Sequence, residues 1–144
     1  ASTSIYLDKP AFPFGGAGLV SSARDYDRFL MMIMNRGQVG TTQVLKPETI
    51  ALATSNLLPE GTDTRGSFAE GSGFGAGGRV SLPGSSTGEG IYGWGGAAGT
   101  VAFVDWRRRL RFGGYANYMP AEAYDFQSHI TDKFRADMMA LAAA

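Results

Sequence analysis

The run Tyr92-Gly93-Trp94-Gly95-Gly96-Ala97-Ala98-Gly99-Thr100 narrows the choice of folds more than any other part of this chain. It leads straight into Val101-Ala102-Phe103-Val104-Asp105, whose residue types read as a strand. Glycine inside a strand costs stability, so a cluster of glycines marks a place where something must approach the backbone closely. Trp94 is the one large surface among them. A floppy loop anchored by a single Trp has the same composition. The strand that begins at once, in a clear register, favours a ribbon whose main chain is offered to a ligand.

At 144 residues the chain is of single-domain size, enough to bury roughly two thirds of its unfolded surface. Hydrophobic residues at 44% and charged residues at 18% describe a globular, soluble chain. Lys+Arg and Asp+Glu are 13 each, so no long-range field points to nucleic acid or to an anionic membrane. No apolar run approaches the roughly 20 residues of a membrane span. Cysteine is absent, which excludes disulfide and thiolate chemistry and leaves the compartment open. Glycine, 21 residues without a fixed period, argues for tight turns and open backbone.

The segment Ala1–Leu7 lacks a basic flank and a long apolar core, so it does not read as a signal peptide but as the middle of a longer sequence. Pro10 to Leu19 is loop chemistry. Ser22 followed by Asp25 fits a capping box, and Tyr26, Phe29, Leu30, Ile33 and Met34 make a helical stripe that Gly37 ends. Pro47 opens a second, shorter helix through Ala53. Asn56 to Gly73 is a long polar loop, of the kind that is usually functional or mobile. Phe74, Ala76, Gly78, Val80 and Leu82 alternate as a strand. The strand at Val101 follows, and Leu110, Phe112, Gly114, Ala116 and Tyr118 share a face of a third. Pro120 opens a closing helix with a stripe of Phe126, Ile130, Phe134, Met138 and Leu141. The expected class is α+β: helices, an antiparallel three-strand meander, and a C-terminal helix packed on it. The sheet wants more strands than this chain supplies.

Most chemical motifs fail on context. Gly73-x-Gly75-x-x-Gly78 spells a dinucleotide fingerprint, but a polar loop precedes it and a strand follows, where a strand and then a helix are needed. Ser86 stands in a G-x-S-x-G string, Gly84 to Gly88, inside a turn between strands instead of a strand-to-helix elbow. The only histidine, His129, reads as a polar-face residue of the closing helix. One His and no Cys leave no transition-metal cluster, and no acidic spacing suits calcium, so no cofactor is expected. Arg107-Arg108-Arg109 with Arg111 is better explained by a solvated turn than by a phosphate site.

Four stretches together resemble the serine β-lactamase fold, in its class C and family VIII esterase branch, related to penicillin-binding proteins. They are Gly15 to Tyr26, Val44 to Thr49, Gly73-Phe74-Gly75, and Tyr92 to Thr100, in the right order over nearly the whole chain. The resemblance implies an acyl-serine mechanism, in which a Ser attacks an ester or amide carbonyl while a Lys and a Tyr manage its proton. Trp94-Gly95-Gly96 looks like the counterpart of the family's Lys-Thr-Gly box. Those three residues would then bind substrate, and Ala97 would supply a backbone N–H to the oxyanion hole. Trp in place of Lys removes the cation that meets a penicillin carboxylate, which moves the expected substrate toward neutral esters. The S-x-x-K nucleophile motif is absent. Tyr115-Ala116-Asn117 spells the family's Tyr-x-Asn element but follows the box, where the family places it before, and is read as coincidence.

The chain is therefore expected to be the C-terminal part of a larger serine hydrolase domain. Residues 1–72 form its helical and loop part, 73–119 its antiparallel strands and 120–144 its closing helix. It would supply the oxyanion strand and part of the acyl pocket, and be inactive alone. A non-catalytic remnant that presents an open sheet edge to a peptide or partner strand is the alternative. Expected partners are a small ester or lactam substrate, and either a second copy or the missing N-terminal part.

Overall fold

The computed structural model describes residues 7–13, 16, 19–85, 88–120 and 123–142, apart from the side chains of 139, 141 and 142. The expectations resting on residues 1–6, Gly15, Gly18, Ser86 and Leu141 lie outside the described residues.

Helix α1 (Ala23–Met34) begins as its sequence requires. The Asp25 N–H donates to Ser22 Oγ at 3.1 Å, and the Ser22 hydroxyl donates to the Asp25 carboxylate at 2.7 Å. One orphan amide of the first turn is thereby satisfied, and the carboxylate sits at the positive end of the helix. Gly37 ends the turn after the helix at φ +94, and a Cβ there would collide with the Leu45 carbonyl. Glycine is demanded there both by the left-handed backbone and by the close approach. A short hairpin, β1 (Gln38–Val39) with β2 (Thr42–Gln43), leads to α2 (Pro47–Ala53), whose Pro stands where a missing N–H costs nothing.

The main sheet has five antiparallel strands in sequence order: β3 (Gly73–Phe74), β4 (Arg79–Val80), β5 (Ile91–Gly95), β6 (Val101–Asp105) and β7 (Leu110–Gly114). The single strand expected from Phe74 to Leu82 is instead a tight hairpin. Gly77 adopts φ +80, and the Gly75 N–H reaches the Gly78 carbonyl at 2.8 Å. Alternating small residues imitated a strand while their glycines made a turn. Strand β7 also stops at Gly114, short of the expected Tyr118.

Alternation along β6 divides the sheet into two faces. Ala102 and Val104 point toward α1, where Leu30, Met32, Ile33 and Ile50 complete the core with Tyr26, Met34, Val39, Tyr92 and Trp106 around them. Within the expected α1 stripe, Phe29 is 46% exposed and Met32 takes the buried place. On the opposite face Phe103 and Phe112 meet Phe134 of α3 (Phe126–Ala142), with ring centres 6.3 and 4.6 Å away. That helix opens at Phe126 and not at Pro120. Helices therefore cover both faces, where a single covering helix was expected.

Two ion pairs tie the strands to their surroundings. Arg111 grips Asp27 of α1 with two bonds of 2.7 and 3.0 Å. Arg108 closes on the buried Asp105 across the β6–β7 turn at 2.7 Å. Half of the arginine patch thus has structural acids as partners, in keeping with a turn and not a phosphate site.

Candidate functional site

Strand β5 carries the glycine-rich segment, and its geometry follows from the missing side chains. A Cβ on Gly93 would strike the Ala102 carbonyl and the Phe103 side chain, so glycine allows β5 and β6 to close up. On the other side β4 pairs only with Tyr92 and Gly93. Among the described residues, Trp94 and Gly95 therefore meet no strand on that side, and their main-chain groups there are open to a ligand. After Gly95 the chain leaves the strand and turns: the Gly96 N–H donates to Thr100 O at 2.7 Å and the Gly99 N–H to Gly96 O at 3.1 Å.

Ala97 sits in that turn and is exposed. Among the described residues its N–H has no hydrogen-bond partner. Gln127 of α3 holds the turn from behind, donating through Nε2 to the Gly96 carbonyl at 2.8 Å and the Thr100 carbonyl at 2.7 Å. No pattern in the sequence pointed to this residue, which reads as one polar position beside an apolar stripe.

Trp94 does not stand alone as its sequence neighbours suggest. Phe68 and Phe74 meet it edge-on, with centroids at 5.6 and 5.3 Å, and the Arg79 guanidinium lies 5.5 Å from its ring centre. Such contacts orient a ring and each adds roughly 0.5–1.5 kcal/mol. Phe68 comes from the long loop, whose base is fastened to β3: Phe74 N–H donates to Asn56 Oδ1 at 3.0 Å and Leu57 N–H to Phe74 O at 2.8 Å. Arg79 Nε donates to the Phe68 carbonyl and pins the loop over the indole. Nothing periodic marks Phe68, so only the fold reveals it.

Two concavities flank Trp94. One, of about 500 Å³ on the α1 face, is lined by Leu19, Tyr26, Trp94, Gly96, Tyr115 and Asn117 among others. The other, of about 520 Å³ on the α3 face, takes in Gly93, Trp94, Gly95, Thr131 and Arg135. The structure thus puts Trp94 on both grooves, with Gly96 in one and Gly95 in the other, and Ala97 lines neither. Burial, reinforced by Tyr26 and Asp27, pushes the Tyr115 hydroxyl above its ordinary value. It stays a neutral phenol near pH 7, unsuited to take a proton from a nucleophile. The ring lies across Gly113, where a Cβ would meet its hydroxyl. His129 is exposed and 3.8 Å from Asp125, just before the start of the same helix. Among the described residues no group of three or more His, Cys, Asp or Glu is placed to hold a metal ion, and no helix is long and apolar enough to cross a membrane.

A five-stranded antiparallel sheet with helices on both faces and a glycine-rich strand edge beside a groove is the arrangement that comparison with known proteins has to match. The chain matches the Beta-lactamase family model over residues 2–132 and belongs to that family. It is similar to the crystal structure of a "putative beta-lactamase" from Bacteroides dorei, with a TM-score of 0.63 and 27% identity over 74% of this chain. It is also 36% identical over 55 residues to two Mycobacterium tuberculosis proteins, Protein Rv1367c and Uncharacterized protein MT1414, a match covering 38% of this chain. The chain spans 34% of the Bacteroides protein and the matched stretch 14% of each mycobacterial one. The fold is β-lactamase-like.

Proposed function

We propose that this chain is the C-terminal portion of an esterase-type serine hydrolase, contributing the strand that polarises the substrate carbonyl and one wall of the acyl pocket. The observation that carries the reading is the Trp94–Ala97 segment, a strand edge running into a turn with an exposed N–H at Ala97, neither of them paired among the described residues. A carbonyl oxygen that gains negative charge in the transition state is stabilised by such main-chain donors, each worth about 3 kcal/mol. Gln127, by donating to the carbonyls of Gly96 and Thr100, braces the turn that presents Ala97. The nucleophilic Ser, its Lys and the catalytic Tyr would come from sequence outside this chain, since no Ser here has a Lys three residues later.

Trp94 in its aromatic setting points to neutral esters. Where penicillin-processing relatives carry a Lys, this chain has an indole between Phe68 and Phe74, and the cation beside it, Arg79, is engaged with the indole face and the Phe68 carbonyl. In the longer protein, kcat/KM for a nitrophenyl ester should far exceed that for nitrocefin. Lactam turnover equal to or better than ester turnover would overturn the ester assignment. In the same assay Ala97→Pro should lower kcat by about a hundredfold or more, and Ala97→Ser should leave it nearly unchanged.

A second reading has its own support. Strand β7 is the last in the sheet, so its outer edge from Leu110 to Gly114 meets no strand among the described residues. An edge of that kind accepts a strand from a second copy or from another part of the parent protein. Light scattering across a concentration series separates the cases, and a monomer at high concentration speaks against self-pairing.

A further inference from the structure

At the end of the sheet away from Ala97, folding gathers four exposed arginines. Residues 106–109 make the turn between β6 and β7, and three of them are arginine. The Trp106 indole N–H donates to the Met34 carbonyl at 3.3 Å and fastens that turn to the end of α1. Arg36, just past α1, lies over the same indole, its guanidinium 5.0 Å from the ring centre. Arg108 is taken by Asp105, but Arg36, Arg107 and Arg109 meet no acid among the described residues. Glu89 stands beside Gly90, whose carbonyl accepts the Trp106 N–H at 3.1 Å. With Asp105 it leaves the six charged groups with two positive charges between them. Among the described residues only two non-glycines adopt a positive φ, Arg36 and Arg109, each at φ +55. Glycine or asparagine would take that backbone at less cost. Arg36 has the indole to cover, whereas the Arg109 side chain has no bonded partner among the described residues. A side chain kept where its backbone disfavours it points to a use outside the fold.

We propose that this end of the sheet docks an acidic peptide segment of a partner protein, whose carboxylates meet Arg36, Arg107 and Arg109. A guanidinium fork takes a carboxylate by both oxygens, and arginine clusters are a recurring means of reading acidic motifs. A bilayer fits less well, because neither the turn nor the segment from 35 to 43 exposes a large hydrophobic side chain to insert. A nucleic acid fits less well too, because Arg36 covers the one aromatic face on which a base could stack. The surface does not depend on the esterase assignment. Asp105 pairs with Ile91 and Val101 with Gly95, so a strand length of about 13 Å separates this turn from the one that holds Ala97.

The test uses the full chain with 15N-labelled arginine, titrated separately with hexaglutamate, hexaglutamine, oligothymidylate, and vesicles of phosphatidylcholine and phosphatidylserine. Hexaglutamate should shift the amide signals of Arg36, Arg107 and Arg109 together and saturably, and added salt should weaken it. Hexaglutamine should leave them in place. Arg107→Gln should weaken hexaglutamate about threefold. Arg24→Gln, which removes an exposed arginine at the first turn of α1, a helix length away, should change nothing. Arg109→Asn separates docking from folding. Asparagine accepts the left-handed backbone, so Tm should hold or rise while affinity falls about threefold. The proposal is overturned by no saturable shift, by hexaglutamine binding equally well, or by affinity unchanged in Arg107→Gln. It is also overturned by an equal loss in Arg24→Gln, by a lower Tm in Arg109→Asn, or by vesicles or oligothymidylate saturating signals that hexaglutamate does not.

Discussion

On the α1 side of the sheet, Ala102 and Val104 are sealed beneath Leu30, Ile33 and Ile50, and Val104 has no exposed surface at all. One residue along the same strand, on the α3 side, Phe103 packs with Phe112 and Phe134 and also borders a cavity. Both sets of side chains are buried along β6, Phe103 at 4% exposure and Ala102 at 8%, but the α1 side joins one closed cluster while the α3 side packs three rings beside a cavity. Period two makes the division possible, since neighbouring residues never share a face. The comparison teaches where to look for function: along the margin of the closed face, at Trp94.

The division can be broken by truncation. Ile33→Ala on the closed side should cost about 3 kcal/mol, because the deleted atoms leave a cavity that a capped helix cannot collapse into. Met138→Ala, half-buried on α3, should cost about 1 kcal/mol or less, since a side chain already partly in water loses less on truncation. Urea unfolding of the two variants gives the ratio. Equal losses would mean that the α3 face is as tightly closed as the α1 face.

A smaller effect is expected where α1 hands over to the hairpin. Gly37→Ala forces a side chain onto φ +94 and against the Leu45 carbonyl, and should lower stability by about 2 kcal/mol. Thermal unfolding reads this directly. A neutral outcome would show that the turn relaxes, and that the closed face is more pliable than its packing implies.

The smallest effect tests the pair that joins α1 to β7. Its hydrogen bonds to Arg111 come first, and together with the opposite charge they outweigh burial and hold the Asp27 carboxyl below its ordinary value of 3.8. A depressed folded value means that the unfolded chain binds the proton more readily. The contribution is complete above about pH 4 and fades as pH falls through the folded value. With both side chains substantially exposed it should stay under about 1 kcal/mol. Comparing stability against pH for the unaltered chain and Asp27→Asn checks it. Parallel curves would remove the pair from the account.

Local rules carried the sequence reading wherever one rule was enough. Ser22, Gly37 and Pro47 announce the ends of helices through their own backbone chemistry, and those elements stand where their residues put them. The α+β class and the likeness to β-lactamases were legible in the same way, through segments in order. What failed was the alternation from Phe74 to Leu82, because small residues satisfy a period-two pattern and a glycine turn equally well. The surroundings of Trp94 were not legible at all. Phe68 and Gln127 reach it from a loop and from a helix far along the chain, and only tertiary folding brings them together.

The central claim is that this chain offers an oxyanion donor to a reaction whose nucleophile it does not carry. Incubating the chain alone with a serine-directed aryl phosphonate, then recording its intact mass, tests that claim most directly. The account predicts an unmodified mass and no ester turnover, and predicts that adding the upstream part of the parent restores turnover with the phosphonate on that partner. A phosphonate adduct on this chain, mapped to Ser86 or to any other serine in it, would contradict the account.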